Sequence, residues 1–312
     1  MTAPILLATS QPPDEEAAWR EALARAMPDE RLVTAADAFD RSAVTIAIVA
    51  NPPPGALAGL PALAWVHSLW AGVERLLQDA TLPPVPVVRL VDPTLARAMA
   101  ETVAAAVLAL HRDLPVYAAQ QRRREWRQHP ARAAGQRPVA ILGMGEMGRA
   151  SAALLRGLGF PVRGWSRSGA AMPGVAMHAG RDGLAAALDG AAFLVNLLPL
   201  TTETRGILDA DAFARLAPDA GVINFGRGAH LVEADLWQAL DAGQVGHAVL
   251  DVFTQEPPPP EHPAWTRPDV TVLPHVAAPT DEASAAAVVA AAVAAFRSTG
   301  QVPAGVDRTR GY

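Results

Sequence analysis

Val139-Ala140-Ile141-Leu142 runs straight into Gly143-Met144-Gly145-Glu146-Met147-Gly148, and Arg149–Leu158 continues with helical periodicity. A strand that turns through three glycines into a helix leaves few architectures open. The strand belongs inside a parallel sheet, and the helix must return over the sheet's face. Each glycine has its own reason: Gly143 permits the tight turn, Gly145 lets the backbone approach a pyrophosphate, and Gly148 lets helix and strand pack closely. The start of the helix, through Glu146, Met147 and Gly148, offers N–H groups and a positive dipole end to an anion.

The same rhythm runs along the whole chain. Apolar runs at Ile5–Ala8, Val44–Ala50, Ala64–Ser68 and Val85–Leu90 read as strands, with a helix over Asp14–Met27 between the first two. A long helical stretch follows over Thr94–Arg112, with capping residues at Asp92-Pro93-Thr94. Gln120–Gln136, polar and basic with Arg122-Arg123-Arg124, reads as a solvated face or loop. After it strands recur at Val139–Leu142, Val162–Trp165, Ala192–Leu198, Gly221–Phe225, Ala248–Val252 and Val270–Leu273. The expectation is an α/β protein of two Rossmann-like domains with parallel sheets. Residues 99–285 form a doubly wound cofactor domain. Residues 1–98 with 286–312 form a discontinuous substrate domain, rejoined by a final helix over Asp281–Ser298.

Composition removes several chemistries. The 312 residues include no Cys, which excludes disulfides, thiolate nucleophiles and Cys-ligated metals. They include no Lys either; all 26 basic residues are Arg, so Schiff-base chemistry and the Walker lysine are excluded. A net charge of -5 argues against nucleic acid as a partner. The histidines at 111, 129, 178, 230, 247 and 262 show no metal-ligand spacing, and no metal is expected. The longest apolar run, within Ala283–Phe296, falls short of a membrane span, and Met1–Gln11 lacks the pattern of a signal peptide. No membrane partner and a cytoplasmic location are expected.

The strand after the glycine turn selects the cofactor. An NAD site usually ends that strand in a carboxylate that binds the ribose hydroxyls. Here it ends Trp165-Ser166-Arg167-Ser168. Arg167 and the hydroxyls of Ser166 and Ser168 can bind a 2′-phosphate that a carboxylate would repel. The expected cofactor is NADP(H), with NAD(H) the weaker alternative.

Ligands of open α/β sheets sit beyond the carboxyl ends of the strands. Arg227, Glu256 and His275 each follow one such strand. This trio is what reduction of a 2-keto acid needs. A guanidinium binds the carboxylate and polarises the carbonyl, an imidazolium delivers a proton, and a carboxylate orients the imidazole and raises its pKa.

The segments around them, Asn224-Phe225-Gly226-Arg227-Gly228, Leu250-Asp251-Val252-Phe253-Thr254-Gln255-Glu256-Pro257 and Pro274-His275-Val276-Ala277, resemble the signature segments of the D-2-hydroxyacid dehydrogenases. With Trp165–Ser168, Leu197–Thr204 and the tail Val306–Tyr312, the chain is most similar to the bacterial glyoxylate/hydroxypyruvate reductase A branch, from about Trp65 onward. The resemblance implies Arg227 as substrate binder, Glu256 as partner of His275, and His275 as the acid/base. It also implies that Asp251 meets the nicotinamide carboxamide and that Leu198 and Pro199 flank the cofactor, with Thr204 in the same loop. Backbone N–H groups of a loop in the smaller domain bind the substrate carboxylate in the family, and Trp70-Ala71-Gly72 resembles that loop. Trp70 stands where a small residue is usual; a bulky indole there could narrow the substrate range or close over the ligand, and it reads equally well as a packing residue. The family's first-domain Trp is missing around Asn51-Pro52. His67, beside the loop, reads as structural.

The implied activity is NADPH-dependent reduction of glyoxylate or hydroxypyruvate to the 2-hydroxy acid, with closure of the two domains excluding water. A homodimer through Leu110–Trp126 is implied as well. A β-hydroxyacid dehydrogenase shares the glycine turn but needs a catalytic Lys. Formate or phosphite oxidation on the same scaffold, and a non-enzymatic NADP(H)-sensing module, remain as alternatives.

Overall fold

The computed structural model describes residues 3–308. Met1 and Thr2, and Thr309–Tyr312 at the end of the tail segment, lie outside the described residues. The chain divides into two compact units. One runs from the N-terminus to Thr94 and resumes at Thr280; the other is Leu95–Pro279. The expected crossings, at 98/99 and 285/286, fall within two helices. The two units change over near the starts of those helices.

In the first unit, β1 (Ile5–Thr9), α1 (Pro13–Ala26), β2 (Leu32–Val33), β3 (Ile46–Ala50), β4 (Trp65–Ser68), α2 (Glu74–Leu77) and β5 (Val87–Val88) follow in order. The strands form a wholly parallel sheet in the order β2-β1-β3-β4-β5. Ile46, Ile48, Trp65 and Val66 are fully buried, as expected of strands covered on both faces. The strand expected over Val85–Leu90 is trimmed to two residues, following a stretch with prolines at 83, 84 and 86 that cannot donate to a ladder. His67 lies inside β4, 1% exposed, with Nδ1 2.8 Å from the carbonyl of Ser68. Burial pushes its pKa down to about 4, so it is neutral at pH 7, as a structural residue should be.

The second unit holds α3 (Pro93–His111), α4 (Leu114–Arg123), β6 (Val139–Leu142), α5 (Glu146–Gly157), β7 (Val162–Trp165), β8 (Ala176–His178), α6 (Gly180–Leu188), β9 (Phe193–Asn196), α7 (Ala210–Ala214), β10 (Ala220–Asn224), α8 (Glu233–Asp241), β11 (Val245–Leu250) and β12 (Val270–Val272). Its parallel sheet has the order β12-β11-β10-β9-β6-β7-β8. The chain starts at β6, winds outward to β8, then returns to β9 on the other side. The β6/β9 junction is therefore the topological switch point, where open α/β sheets bind ligands. Alternate residues serve opposite faces: Ala140, Leu142, Leu194 and Val222 pack on one side, Val139, Ile141, Val195 and Ile223 on the other.

Met99, Val103, Val107 and Leu110 of α3 fill the second of these faces. Among the described residues α3 is the helix long and apolar enough to cross a membrane by length and composition, and half of that stretch is buried inside the structure. The basic run expected to be solvated ends α4 and continues as an exposed, largely irregular segment up to Ala133. Finally α9 (Glu282–Thr299) returns to the first unit and packs on α1. Its Arg297 donates to both carboxylate oxygens of Glu30 at 3.0 Å, and Phe296 meets Trp65 with ring centroids 5.8 Å apart.

Candidate active site

The glycine turn sits where β6 ends. Gly143 has φ +98°, and a Cβ there would lie 2.6 Å from the carbonyl oxygen of Leu197; a Cβ on Gly148 would overlap the carbonyl oxygen of Gly143. Both positions are glycine for internal reasons. Gly145 is different: its φ is an ordinary -77°, and a Cβ would meet nothing within 4 Å. Packing does not demand a glycine there, whereas an approaching pyrophosphate does. Gly145 is also the N-cap of α5 and has no side chain to satisfy the helix's first N–H groups, those of Glu146, Met147 and Gly148 among them. The residues present thus fit a dinucleotide.

At the end of β7, Ser166 N donates to His178 O at 3.2 Å. The hydroxyls of Ser166 and Ser168 accept from the N–H groups of Gly169 and Ala170. Arg149 of α5 braces the turn through the carbonyls of Ala170 and Ala171, both at 3.3 Å. Arg167 lies exposed on this turn, and no carboxylate occurs between Trp165 and Ala171.

The catalytic candidates come from three strand ends of one sheet. Nδ1 of His275 lies 2.8 Å from Oε2 of Glu256, whose Oε1 accepts from Phe253 N at 3.0 Å. The hydrogen bond to Glu256 raises the pKa of His275, its charge adds to that, and partial burial and the charge of Arg227 oppose it. Burial pushes Glu256 up, but the bonds from His275 and Phe253 and the charges of His275 and Arg227 outweigh it and hold the carboxyl below its usual range. Arg227 therefore acts electrostatically on both partners. Its Nη1 donates to Gly226 O at 2.7 Å. Its loop is pressed against the Glu256 loop, since a Cβ on Gly228 would overlap the Phe253–Thr254 peptide.

Asp251 is buried, and its carboxylate accepts from Val276 N at 2.7 Å and from Ala277 N at 3.1 Å and 3.2 Å. His275 N donates to Asp251 O at 2.9 Å. These bonds hold His275 at φ +56°, a left-handed conformation uncommon for residues other than glycine. The structure thus ties Asp251 to the loop that carries the imidazole.

Leu198 is buried and Pro199 half-buried in the loop after β9. The Thr204 hydroxyl donates to Pro199 O at 2.8 Å, bracing the loop from within. In the first unit, Trp70 N donates to Ser68 Oγ at 3.0 Å, and its indole packs edge-on to Trp19 with centroids 5.8 Å apart. The indole is a packing element there, and its Nε1 is buried with no hydrogen-bond partner among the described residues. Ala71 and Gly72 follow in the same loop, half-buried. No group of three or more His, Asp or Glu among the described residues is placed to hold a metal.

Residue-by-residue reading missed Asn196, Asn224 and His230. The two asparagines are register partners at the ends of β9 and β10, both buried, with Asn196 Nδ2 donating to Asn224 Oδ1 at 2.8 Å. The available signal was a polar residue ending an otherwise apolar strand, twice.

The model for the D-isomer specific 2-hydroxyacid dehydrogenase NAD-binding domain matches residues 104–277. The chain belongs to the D-isomer specific 2-hydroxyacid dehydrogenase family. It is 42% identical over 301 residues to the glyoxylate/hydroxypyruvate reductase A of Serratia proteamaculans, covering 94% of this chain and 96% of that protein. Two solved structures of this family share the fold over nearly all of both chains. One is the D-isomer specific 2-hydroxyacid dehydrogenase of Xanthobacter autotrophicus Py2 in complex with NADPH and MES, with TM-score 0.94, 36% identity and all of both chains covered. The other is the NADPH-dependent glyoxylate/hydroxypyruvate reductase of Sinorhizobium meliloti in complex with NADP and sulfate, with TM-score 0.91, 38% identity, and 99% of this chain and 100% of that chain covered. Both parallel-sheet units read from the sequence are those of this dehydrogenase fold.

Within this family the His–Glu pair makes a pH prediction. If His275 is the proton donor it must be protonated, and reduction then fails as pH rises through its folded pKa. Glu256→Gln removes the negative charge that raises that pKa and leaves only a weaker, neutral acceptor for the Nδ1 hydrogen bond. The alkaline limb of the kcat/KM profile for reduction is expected to move to lower pH; an unmoved limb rejects the pairing.

Proposed function

We propose that this protein is a cytoplasmic NADPH-dependent reductase of short 2-keto acids, with glyoxylate and hydroxypyruvate as the first substrates. The observation that carries the reading is the 2.8 Å contact between His275 and Glu256, with the charge of Arg227 acting on both. When bound, the nicotinamide supplies the hydride for the keto carbon. Arg227 binds the substrate carboxylate and polarises the carbonyl. Glu256 holds Nδ1 of His275, so that Nε2 gives its proton to the carbonyl oxygen. Asp251 fixes the His275 loop and faces the carboxamide, and Leu198, Pro199 and Thr204 flank the cofactor. The α5 N-terminus at Gly145–Gly148 takes the pyrophosphate, and Ser166, Arg167 and Ser168 take the 2′-phosphate. The Trp70-Ala71-Gly72 loop binds the substrate carboxylate. Because Trp70 N already serves Ser68, that role falls to the N–H groups of Ala71 and Gly72.

The test is NADPH absorbance against a panel of 2-keto acids, with formate and phosphite against oxidised NADP in the same panel. Turnover of glyoxylate or hydroxypyruvate supports the reading; silence with every keto acid overturns it. A homodimer through Leu110–Trp126 belongs to the same proposal. Trp126 is 97% exposed, and Leu114 and Val116 are exposed on α4. Light scattering is expected to give twice the 32.6 kDa chain mass, and a monomer's mass would reject the dimer.

A further inference from the structure

Beneath the Arg227 loop lies a buried polar core that the proposed reaction does not use. His230 is 0% exposed. Its Nδ1 lies 3.1 Å from Arg227 N and 2.9 Å from Asn196 Nδ2, and its Nε2 lies 3.2 Å from Pro199 O. Two N–H donors converge on Nδ1, so Nδ1 carries no proton. The proton sits on Nε2 and is donated to Pro199 O, which also accepts from Thr204. A second ring proton would point at the two donors, so the arrangement requires the neutral ring.

The surrounding amides complete the net. Asn224 Nδ2 donates to Arg227 O at 3.2 Å, while Asn224 Oδ1 accepts from Gly226 N at 3.3 Å. Asn196 Oδ1 accepts from Leu198 N at 3.3 Å. The backbone N–H and C=O of Arg227 are thus held by His230 and Asn224. The loop at Leu198-Pro199 is held by Asn196 and the same imidazole. Space at the centre is tight: a Cβ on Gly226 would lie 2.7 Å from Asn196 Nδ2 and 2.9 Å from His230 Nδ1.

We propose that His230 is a positioning residue that locks the substrate-binding Arg227 loop to the cofactor-flanking Leu198-Pro199 loop through the two nitrogens of one neutral imidazole. The proposal rests on the roles given above to Arg227 and Pro199. The two nitrogens have separable tasks, and two amides imitate them one at a time. In His230→Asn the amide oxygen stands near the Nδ1 position and accepts from Arg227 N, but the side chain is too short for Pro199. In His230→Gln the amide nitrogen stands near the Nε2 position and donates to Pro199 O, but Arg227 N loses its acceptor.

The full-length protein is titrated with NADPH by fluorescence and with oxalate, an unreactive two-carbon analogue, as its complex with oxidised NADP. Glyoxylate KM and kcat are measured alongside. For His230→Asn, the NADPH Kd is expected to rise about fivefold with the oxalate Kd within about twofold. For His230→Gln, the oxalate Kd and glyoxylate KM are expected to rise about tenfold with the NADPH Kd within about twofold. Both Kd values near wild type in both variants, or both constants lost equally in each, overturn the proposal. If a variant does not fold, the ring nitrogen resonances of wild-type His230 decide. A ring that stays neutral with its proton on Nε2 from pH 8 to 6 supports it; a ring that titrates in that range, or carries its proton on Nδ1, rejects it. Absence of glyoxylate turnover in the wild type, with these binding constants intact, counts against the proposed function and leaves the positioning role standing.

Discussion

Replacing His275 with Ala is expected to lower kcat for glyoxylate reduction by about 10²- to 10⁴-fold, the usual worth of a positioned general acid. The NADPH Kd should stay within about twofold, because the glycine turn and the β7 turn are untouched. Glu256 engages Nδ1 and leaves Nε2 as the nitrogen that can reach a substrate. Its hydrogen-bond partner does not replace it. Glu256 is held as a carboxylate below its ordinary pKa and cannot donate a proton at neutral pH. His275 also sits at φ +56°, where Ala adds backbone cost. His275→Asn is the cleaner variant, since Asn tolerates that conformation and cannot transfer the proton. Both variants should lose kcat alike, and more than a tenth of wild-type kcat in either would reject His275 as the acid.

The second large effect concerns the cofactor. Arg167→Ala is expected to weaken NADPH about 10- to 100-fold, the worth of a charge-assisted hydrogen bond to phosphate, with NADH nearly unchanged. The turn should survive the substitution. The Ser166–His178 backbone bond, the two serine hydroxyl bonds and the bonds of Arg149 to the Ala170 and Ala171 carbonyls all remain in the variant. Dissociation constants for both cofactors on one preparation decide it. Equal weakening of NADPH and NADH would mean that Arg167 supports the turn rather than the 2′-phosphate.

Much of the fold was legible because its strands are buried on both faces and so appear as unbroken apolar runs. Val139–Leu142 has the bounds expected from such a run; Val162–Trp165 also keeps its expected bounds, although Arg163 interrupts it and only alternate residues are buried, and the other main strands shift at their ends. The strands that escaped notice are β2 and β8, of two and three residues at sheet edges, too short for a pattern to stand out. The candidate site was legible as residue types at strand ends. Its supports were not: Asp251 reaches the N–H groups of residues 25 and 26 positions away, and Asn196 reaches His230 across 34. Trp70 shows the same limit, since its indole packs on Trp19, which local sequence gives no means of pairing with it.

Hydrophobic spacing, glycine placement and the absence of Lys, Cys and a β7 carboxylate determined by themselves the layered α/β architecture, the dinucleotide turn and the preference for NADP(H). These are local properties, carried by neighbours along the chain. Strand order, the meeting of Glu256 with His275, and the buried amides and imidazole under Arg227 were decided by tertiary structure alone. Each depends on which strand ends lie side by side, and that follows from the packing of the whole sheet rather than from any segment of it.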